Sequence, residues 1–227
     1  MLEKRAAKDM GTTIFNGVRS IHHFCYGRYQ SAERLNWGNL RVLNHVRLEP
    51  GAARSPNFLG SMEVIILAEA GEIEIQCGDR KLRLANGGCA ILTMGLGGDY
   101  GIANVQNTEA AYTEIWVNVS EAGALFSGTG NDNLRHAASI STSRSRVKFL
   151  ALTPLSRAQA SILTLADSEL VDWRLEYPLA YVTVLDGQAR IEGIWCETGD
   201  AIALNDESQI AIVAEGPCEI LTIQLPV

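Results

Sequence analysis

Short runs of alternating apolar and polar residues fill the chain between Leu40 and Val119. In Glu72–Cys77 the order Glu-Ile-Glu-Ile-Gln-Cys places the apolar side chains on one face of a strand and most polar ones on the other. Turn signals separate these runs at Pro50-Gly51, Gly78-Asp79, Gly87-Gly88 and Gly95–Gly98. The pattern predicts an all-β domain.

The signals of this domain recur near the end of the chain. Ala180–Ile191 repeats the apolar strand, glycine turn and alternating return strand of Val64–Ile73, and 197–204 repeats 85–92. Residues 121–157 are rich in Ser, Gly, Asn and Thr and lack clear apolar periodicity, which predicts a linker or excursion. We therefore predict two tandem jelly-roll β-barrels: residues 1–120 with the first barrel, the linker 121–157, and a shorter second barrel at 158–227.

Composition narrows the classes of function. The chain has 227 residues, 47% of them hydrophobic, which is enough to build a folded core. Its net charge of −7 disfavours nucleic acid and anionic membranes as partners. We expect a cytoplasmic protein, since no apolar run is long enough to span a bilayer and the charged N-terminal residues do not resemble a secretion signal.

The number and spacing of the cysteines are typical of a protein from a reducing compartment. There are five, and no C-x-x-C pair occurs among them. Most lie in apolar strand patterns, where cysteine acts as a small hydrophobe. Cys25, within Phe24–Tyr29, is the exception and is our candidate for a reactive thiol.

A spaced pattern in the first half identifies a family. Gly51, Asn57, Leu59, Glu63 and Gly71 follow the spacing of the first cupin motif, whose histidines would stand at 57 and 59. Gly87, Thr93-Met94-Gly95 and Tyr100 resemble the second cupin motif, which normally has histidine at position 100. Further segments look like pirins: 24–29, 40–44, 62–64 and 115–117. The chain from about residue 18 onward thus resembles the pirin-like bicupins, which implies two cupin barrels.

The resemblance also implies a site. In catalytic pirins, three histidines and a glutamate hold one iron or similar ion, and these positions correspond here to Asn57, Leu59, Tyr100 and Ile102. Leucine and isoleucine have no lone pair, asparagine is a weak donor, and a phenol must first lose its proton. The second half contains no histidine. We therefore expect no metal and no other cofactor, with iron or another divalent metal as the alternative.

The same positions define a candidate pocket. We expect it to be lined by an acid, two amides, a phenol and apolar side chains: Glu63, Asn57, Asn104, Tyr100, Leu59, Met94 and Ile102. The leading interpretation is a non-catalytic protein that binds a small molecule or a protein partner. One alternative is a metal-dependent dioxygenase of the quercetinase type, and another is a thiol redox sensor built on Cys25. Because two barrels share one chain, we expect a monomer or weak dimer.

Overall fold

We describe the protein from a computed structural model, which covers residues 1–55, 60–94, 99–119, 134–137 and 147–226. The chain forms two compact units. The first contains Gly11–Ala138 and Thr153–Ser156, and the second contains Met1–Met10, Ser139–Leu152 and Arg157–Val227. Strand pairing is antiparallel throughout the covered ranges, and no helix in them is long and apolar enough to cross a membrane. The all-β prediction is confirmed.

The first unit is built from two sheets. The strands of the larger sheet are β2 (Gly11–Phe15), β3 (Val18–His22), β4 (Leu40–Leu48), β6 (Met62–Ala70), β9 (Cys89–Thr93), β11 (Ala110–Asn118) and β12 (Leu134–Ala137). Their order is β12-β9-β6-β11-β4-β3-β2. The smaller sheet has the order β5-β10-β7-β8 and comprises β5 (Ala53–Arg54), β7 (Glu72–Cys77), β8 (Arg80–Ala85) and β10 (Tyr100–Asn104).

The second unit has the same two-sheet plan. Its larger sheet has the order β1-β19-β16-β21-β14-β13, with β1 (Leu2–Arg5), β13 (Val147–Leu152), β14 (Gln159–Leu165), β16 (Leu179–Asp186), β19 (Ala201–Asn205) and β21 (Cys218–Leu225). The smaller sheet has the order β15-β20-β17-β18, with β15 (Leu170–Arg174), β17 (Gln188–Ile191), β18 (Ile194–Glu197) and β20 (Gln209–Ala214). A short 3₁₀ helix, Ala7–Asp9, follows β1.

The backbone repeats the duplication seen in the sequence. A glycine with positive φ joins the apolar strand to its return strand in each unit: Gly71 between β6 and β7, and Gly187 between β16 and β17. At Gly187 a Cβ would lie 2.4 Å from the carbonyl oxygen of Pro217, so the close approach also requires glycine. The next turns match as well, because Gly87 N–H donates to Ala68 O and Gly199 N–H donates to Val184 O, both at 2.8 Å.

The unit boundaries differ from the predicted ones at two places. The first ten residues, which we grouped with the first barrel as an N-terminal segment, belong to the second unit, where β1 pairs with β19 and covers its edge. Lys4 Nζ lies 2.7 Å from Asp200 Oδ2, and Ala7 N–H donates to Asp200 Oδ1 at 2.7 Å. The predicted linker 121–157 contains strands β12 and β13, which pair with β9 and β14.

Candidate functional site

Strand parity decides which side chains enter the first barrel. Val42, Val46 and Leu48 of β4 belong to its apolar core, so Asn44, at the same parity, faces inward with them. On β11 the core residues Tyr112 and Trp116 place Glu114 on the inner face in the same way. The barrel interior therefore contains a fully buried carboxylate, which stands between two aromatic residues on the inner face of β11.

Each oxygen of the Glu114 carboxylate has a partner. Oε1 accepts a short hydrogen bond from the Tyr100 hydroxyl. Oε2 accepts a hydrogen bond from Asn44 Nδ2 at 3.0 Å and lies 3.0 Å from Arg54 Nη2. A buried carboxylate is tolerated when it is paired with a cation and its lone pairs are used.

Arg54 supplies the cation from β5. Its side chain is 12% exposed, and Nη1 donates to the Tyr112 hydroxyl at 3.3 Å. Its guanidinium carbon lies 5.0 Å from the centre of the Tyr26 ring, a cation–π distance. Burial, the largest single effect, lowers the pKa of Arg54, but Glu114 and the surrounding tyrosines together outweigh it, and the net pKa is raised. The guanidinium is therefore permanently charged.

The phenols around this ion pair stay protonated. Burial, reinforced by the nearby Glu114 charge, raises the pKa of Tyr100 well above its ordinary value. Burial also raises the pKa of Tyr112 and Tyr26. The Tyr100 oxygen in addition accepts a hydrogen bond from Trp116 Nε1 at 2.9 Å.

His22 extends the network toward β2. One ring nitrogen, Nδ1, lies 2.8 Å from Asn44 Oδ1, and Nε2 lies 2.9 Å from Thr13 Oγ1. Its ring stacks on Tyr26 with 5.1 Å between centroids, and burial lowers its pKa, which favours the neutral ring. We call the set Arg54, Glu114, Tyr100, Tyr112, Tyr26, Trp116, Asn44 and His22 the barrel network.

Glu63 lies elsewhere. It precedes Val64, which faces the core, so alternation turns Glu63 to the opposite face of β6 from the barrel interior. There Oε1 accepts from Leu155 N–H at 3.0 Å, and Oε2 accepts from Ser156 N–H and Oγ, both at 2.7 Å. Glu63 thus holds the turn 153–156 rather than lining the predicted pocket.

The Asn104 side chain forms its hydrogen bonds with backbone groups. Nδ2 donates to the carbonyl oxygens of Leu48, Glu49 and Thr108, at 3.0, 3.2 and 2.8 Å. Oδ1 accepts from Gln106 N–H at 2.9 Å. Its amide group therefore contacts neighbouring loops, and its place in a ligand pocket stays a prediction.

The remaining predicted residues divide into three cases. Met94, Tyr100 and Ile102 are buried together in the core of the first barrel. Asn57 and Leu59 lie outside the described residues. Cys25 is half-buried, and its thiol donates to Ser31 O at 3.0 Å while its sulfur accepts from Ser31 N–H at 3.1 Å.

Comparison with known proteins finds similarity to quercetinase-type and pirin-like proteins. The sequence profile of the quercetinase C-terminal cupin domain family matches residues 155–225. Two curated relatives from Escherichia coli K12 align along the whole chain: a quercetin 2,3-dioxygenase, 26% identical over 100% of this chain and 99% of its own, and the pirin-like protein YhaK, 24% identical over 100% of both. The crystal structure of the E. coli pirin YhhW in complex with nickel(II) has a TM-score of 0.81, with 20% identity and full coverage of both chains. Along its whole length the chain is similar to pirin-like proteins.

Positions 100 and 102, where the metal ligands of catalytic pirins would stand, do not fit a metal ion here. Ile102 offers no donor atom, and the Tyr100 hydroxyl keeps its proton and donates a hydrogen bond to Glu114, so it presents no phenolate. Arg54 already neutralises Glu114, and its positive charge opposes a second cation nearby. In the covered ranges, no three His, Cys, Asp or Glu side chains converge in a way that could hold a metal.

The sequence pattern identified Tyr100 as a site residue but did not reveal its partners. Glu114 stands between Tyr112 and Trp116 at two-residue spacing. The sequence therefore indicates that Glu114 points inward and that its buried charge requires a cation. Arg54 carries no such signal, because β5 has only two residues and no periodicity. Its role emerges only when β5 pairs with Ile102 and Ala103 of β10.

Proposed function

We propose that this chain is a non-catalytic pirin-like bicupin that acts by binding, in which an internal ion pair has replaced the metal centre of the first barrel. The observation that carries this proposal is the position of Tyr100. The third metal-binding histidine of the family would stand there, yet its hydroxyl is held between Glu114 and Trp116.

A rigid, charge-neutral interior suits a scaffold or regulatory role. Tyr100, Ile102 and Met94 are each at most 4% exposed, so these positions are filled by packed side chains. We therefore favour recognition of a protein partner through the outer surface over a small molecule held at these positions. All five cysteines are free thiols, which is consistent with a cytoplasmic location.

The second candidate is a quercetinase-type dioxygenase. Full-length similarity to the E. coli quercetin 2,3-dioxygenase supports it. Reaction of a flavonol with molecular oxygen ordinarily requires a redox metal or an organic cofactor. The residues at positions 100 and 102 supply no ligand for such an ion, so we rank this function below the first.

Elemental analysis combined with a turnover assay separates the two. We expect protein purified without chelator and then dialysed to contain iron, nickel, copper, zinc and manganese at well below one ion per chain. We also expect no loss of quercetin absorbance and no oxygen uptake after addition of each metal, under conditions in which the E. coli enzyme is active. About one retained ion per chain together with metal-dependent quercetin consumption would establish the dioxygenase instead.

A further inference from the structure

The surroundings of Arg54 have the chemistry of an organic-cation site. One side is the carboxylate of Glu114, 3.0 Å from Nη2. A second is the ring face of Tyr26, 5.0 Å from the guanidinium carbon, and a third is the Tyr112 hydroxyl, 3.3 Å from Nη1. Aromatic faces combined with a carboxylate bind ammonium and guanidinium groups, and the attraction is strongest where water is excluded.

Glu114, Tyr26 and Tyr112 lie on different elements from Arg54. Tyr112 and Glu114 lie on β11, and Tyr26 lies in the loop between β3 and β4. Arg54 comes from β5, which is two residues long and pairs with β10 only through Ile102 and Ala103. The guanidinium thus extends from a short strand to contact three groups that other elements supply.

The Arg54 guanidinium leaves part of its hydrogen-bonding capacity unused. Arg54 Nη2 is buried at ion-pair distance from Glu114 but makes no aligned hydrogen bond with it. The backbone of β5 restricts how the planar group can turn, and a planar fork requires alignment for a bidentate contact. A free guanidinium ion has no such restriction.

We propose that Glu114, Tyr26 and Tyr112 form a guanidinium-binding site, that Arg54 is its built-in occupant, and that a free alkylguanidinium ion binds there once the Arg54 side chain is removed. The inference rests on the proposed function, since it names the group that replaces the metal. It adds a ligand class, planar organic cations, that differs from metal ions and from flavonoids.

Chemical rescue of Arg54→Ala tests the site with methylguanidinium chloride as the probe. We expect the variant to melt about 10 °C below the wild type, because Glu114 loses its counter-charge. Methylguanidinium at tens of millimolar should raise its melting temperature by roughly 3 °C or more, relative to equal sodium chloride. The wild type should show no such rise, because Arg54 fills the site.

Two matched variants make the rescue specific. Arg47→Ala removes an exposed arginine paired with Glu109 in the same unit, so we expect no response to methylguanidinium. Arg54→Ala combined with Glu114→Gln removes the anionic wall, so the rescue should disappear. A rise of equal size in these variants, or no rise in Arg54→Ala, would overturn the proposal.

A second substitution tests the site even if Arg54→Ala fails to fold. Arg54→Lys keeps the charge but replaces the planar fork by a point charge that cannot contact Tyr112 and Glu114 in the same way. We expect its melting temperature to fall by a few degrees, while Arg47→Lys changes little. Equal melting temperatures for Arg54→Lys and the wild type would show that the site does not select guanidinium. These melting experiments do not depend on metal content or quercetin turnover. A negative result here would therefore overturn the guanidinium site without overturning the proposed function.

Discussion

Glu114→Ala is expected to lower the free energy of unfolding of the first unit by about 3–5 kcal/mol. The substitution leaves the Arg54 guanidinium buried without its counter-ion and removes the acceptor of the Tyr100 hydroxyl and of Asn44 Nδ2. An uncompensated buried charge is much more costly than a lost surface contact. Urea unfolding followed by tryptophan fluorescence gives the size of the effect, and amide hydrogen exchange across Ala110–Asn118 assigns it to β11.

Glu109→Ala is the matched control. Glu109 also pairs with an arginine of the first unit, Arg47, at 2.8 Å, but both side chains are more than half exposed. Solvent screens such a pair, so we expect a change of about 0.5 kcal/mol or less. If Glu114→Ala and Glu109→Ala destabilise the protein equally, the barrel network does not stabilise the first barrel.

Glu63→Ala is expected to lower the free energy of unfolding by about 2–4 kcal/mol, because it removes the acceptor of two buried donors and one half-buried donor at once. Those donors are Leu155 N–H, Ser156 N–H and the Ser156 hydroxyl. Thr153 Oγ1 is a further member of the cluster, 2.5 Å from Ser156 Oγ. Denaturant titration measures the loss, and faster exchange of the Leu155 and Ser156 amide protons would localise it to the turn.

Ser156→Ala provides the comparison for that substitution. It removes one hydroxyl but leaves Glu63 with both backbone donors, so we expect a loss of about 1 kcal/mol. Unchanged exchange at Leu155 and Ser156 in Glu63→Ala would contradict the contacts described for this carboxylate.

The fold was largely predictable because local rules and the global topology agree. Alternation in Glu72–Cys77, glycine at 71 and 187, and the repeat of one strand–turn–strand pattern each indicate antiparallel hairpins. The place of β1 could not be predicted in this way. Leu2–Arg5 is a short segment whose partner, β19, lies about 200 positions away, and nothing local in it specifies that pairing.

The site was only partly predictable. Spacing located Tyr100 and Ile102, and the chemistry of their side chains argued against metal ligation without any coordinates. Glu63 was assigned to the wrong face because the motif spacing was given more weight than strand parity relative to Val64. The partnership of Arg54 with Glu114 joins residues sixty positions apart in sequence, and only the barrel topology brings them together.

A crystal of this protein soaked in nickel(II) and examined by anomalous scattering tests the central claim most directly, since a relative binds that ion. We expect no anomalous peak beside Tyr100 in the first barrel, and density that places the Arg54 guanidinium against Glu114. A nickel peak enclosed by the side chains at positions 57, 59, 100 and 102, with Arg54 displaced from Glu114, would contradict the account.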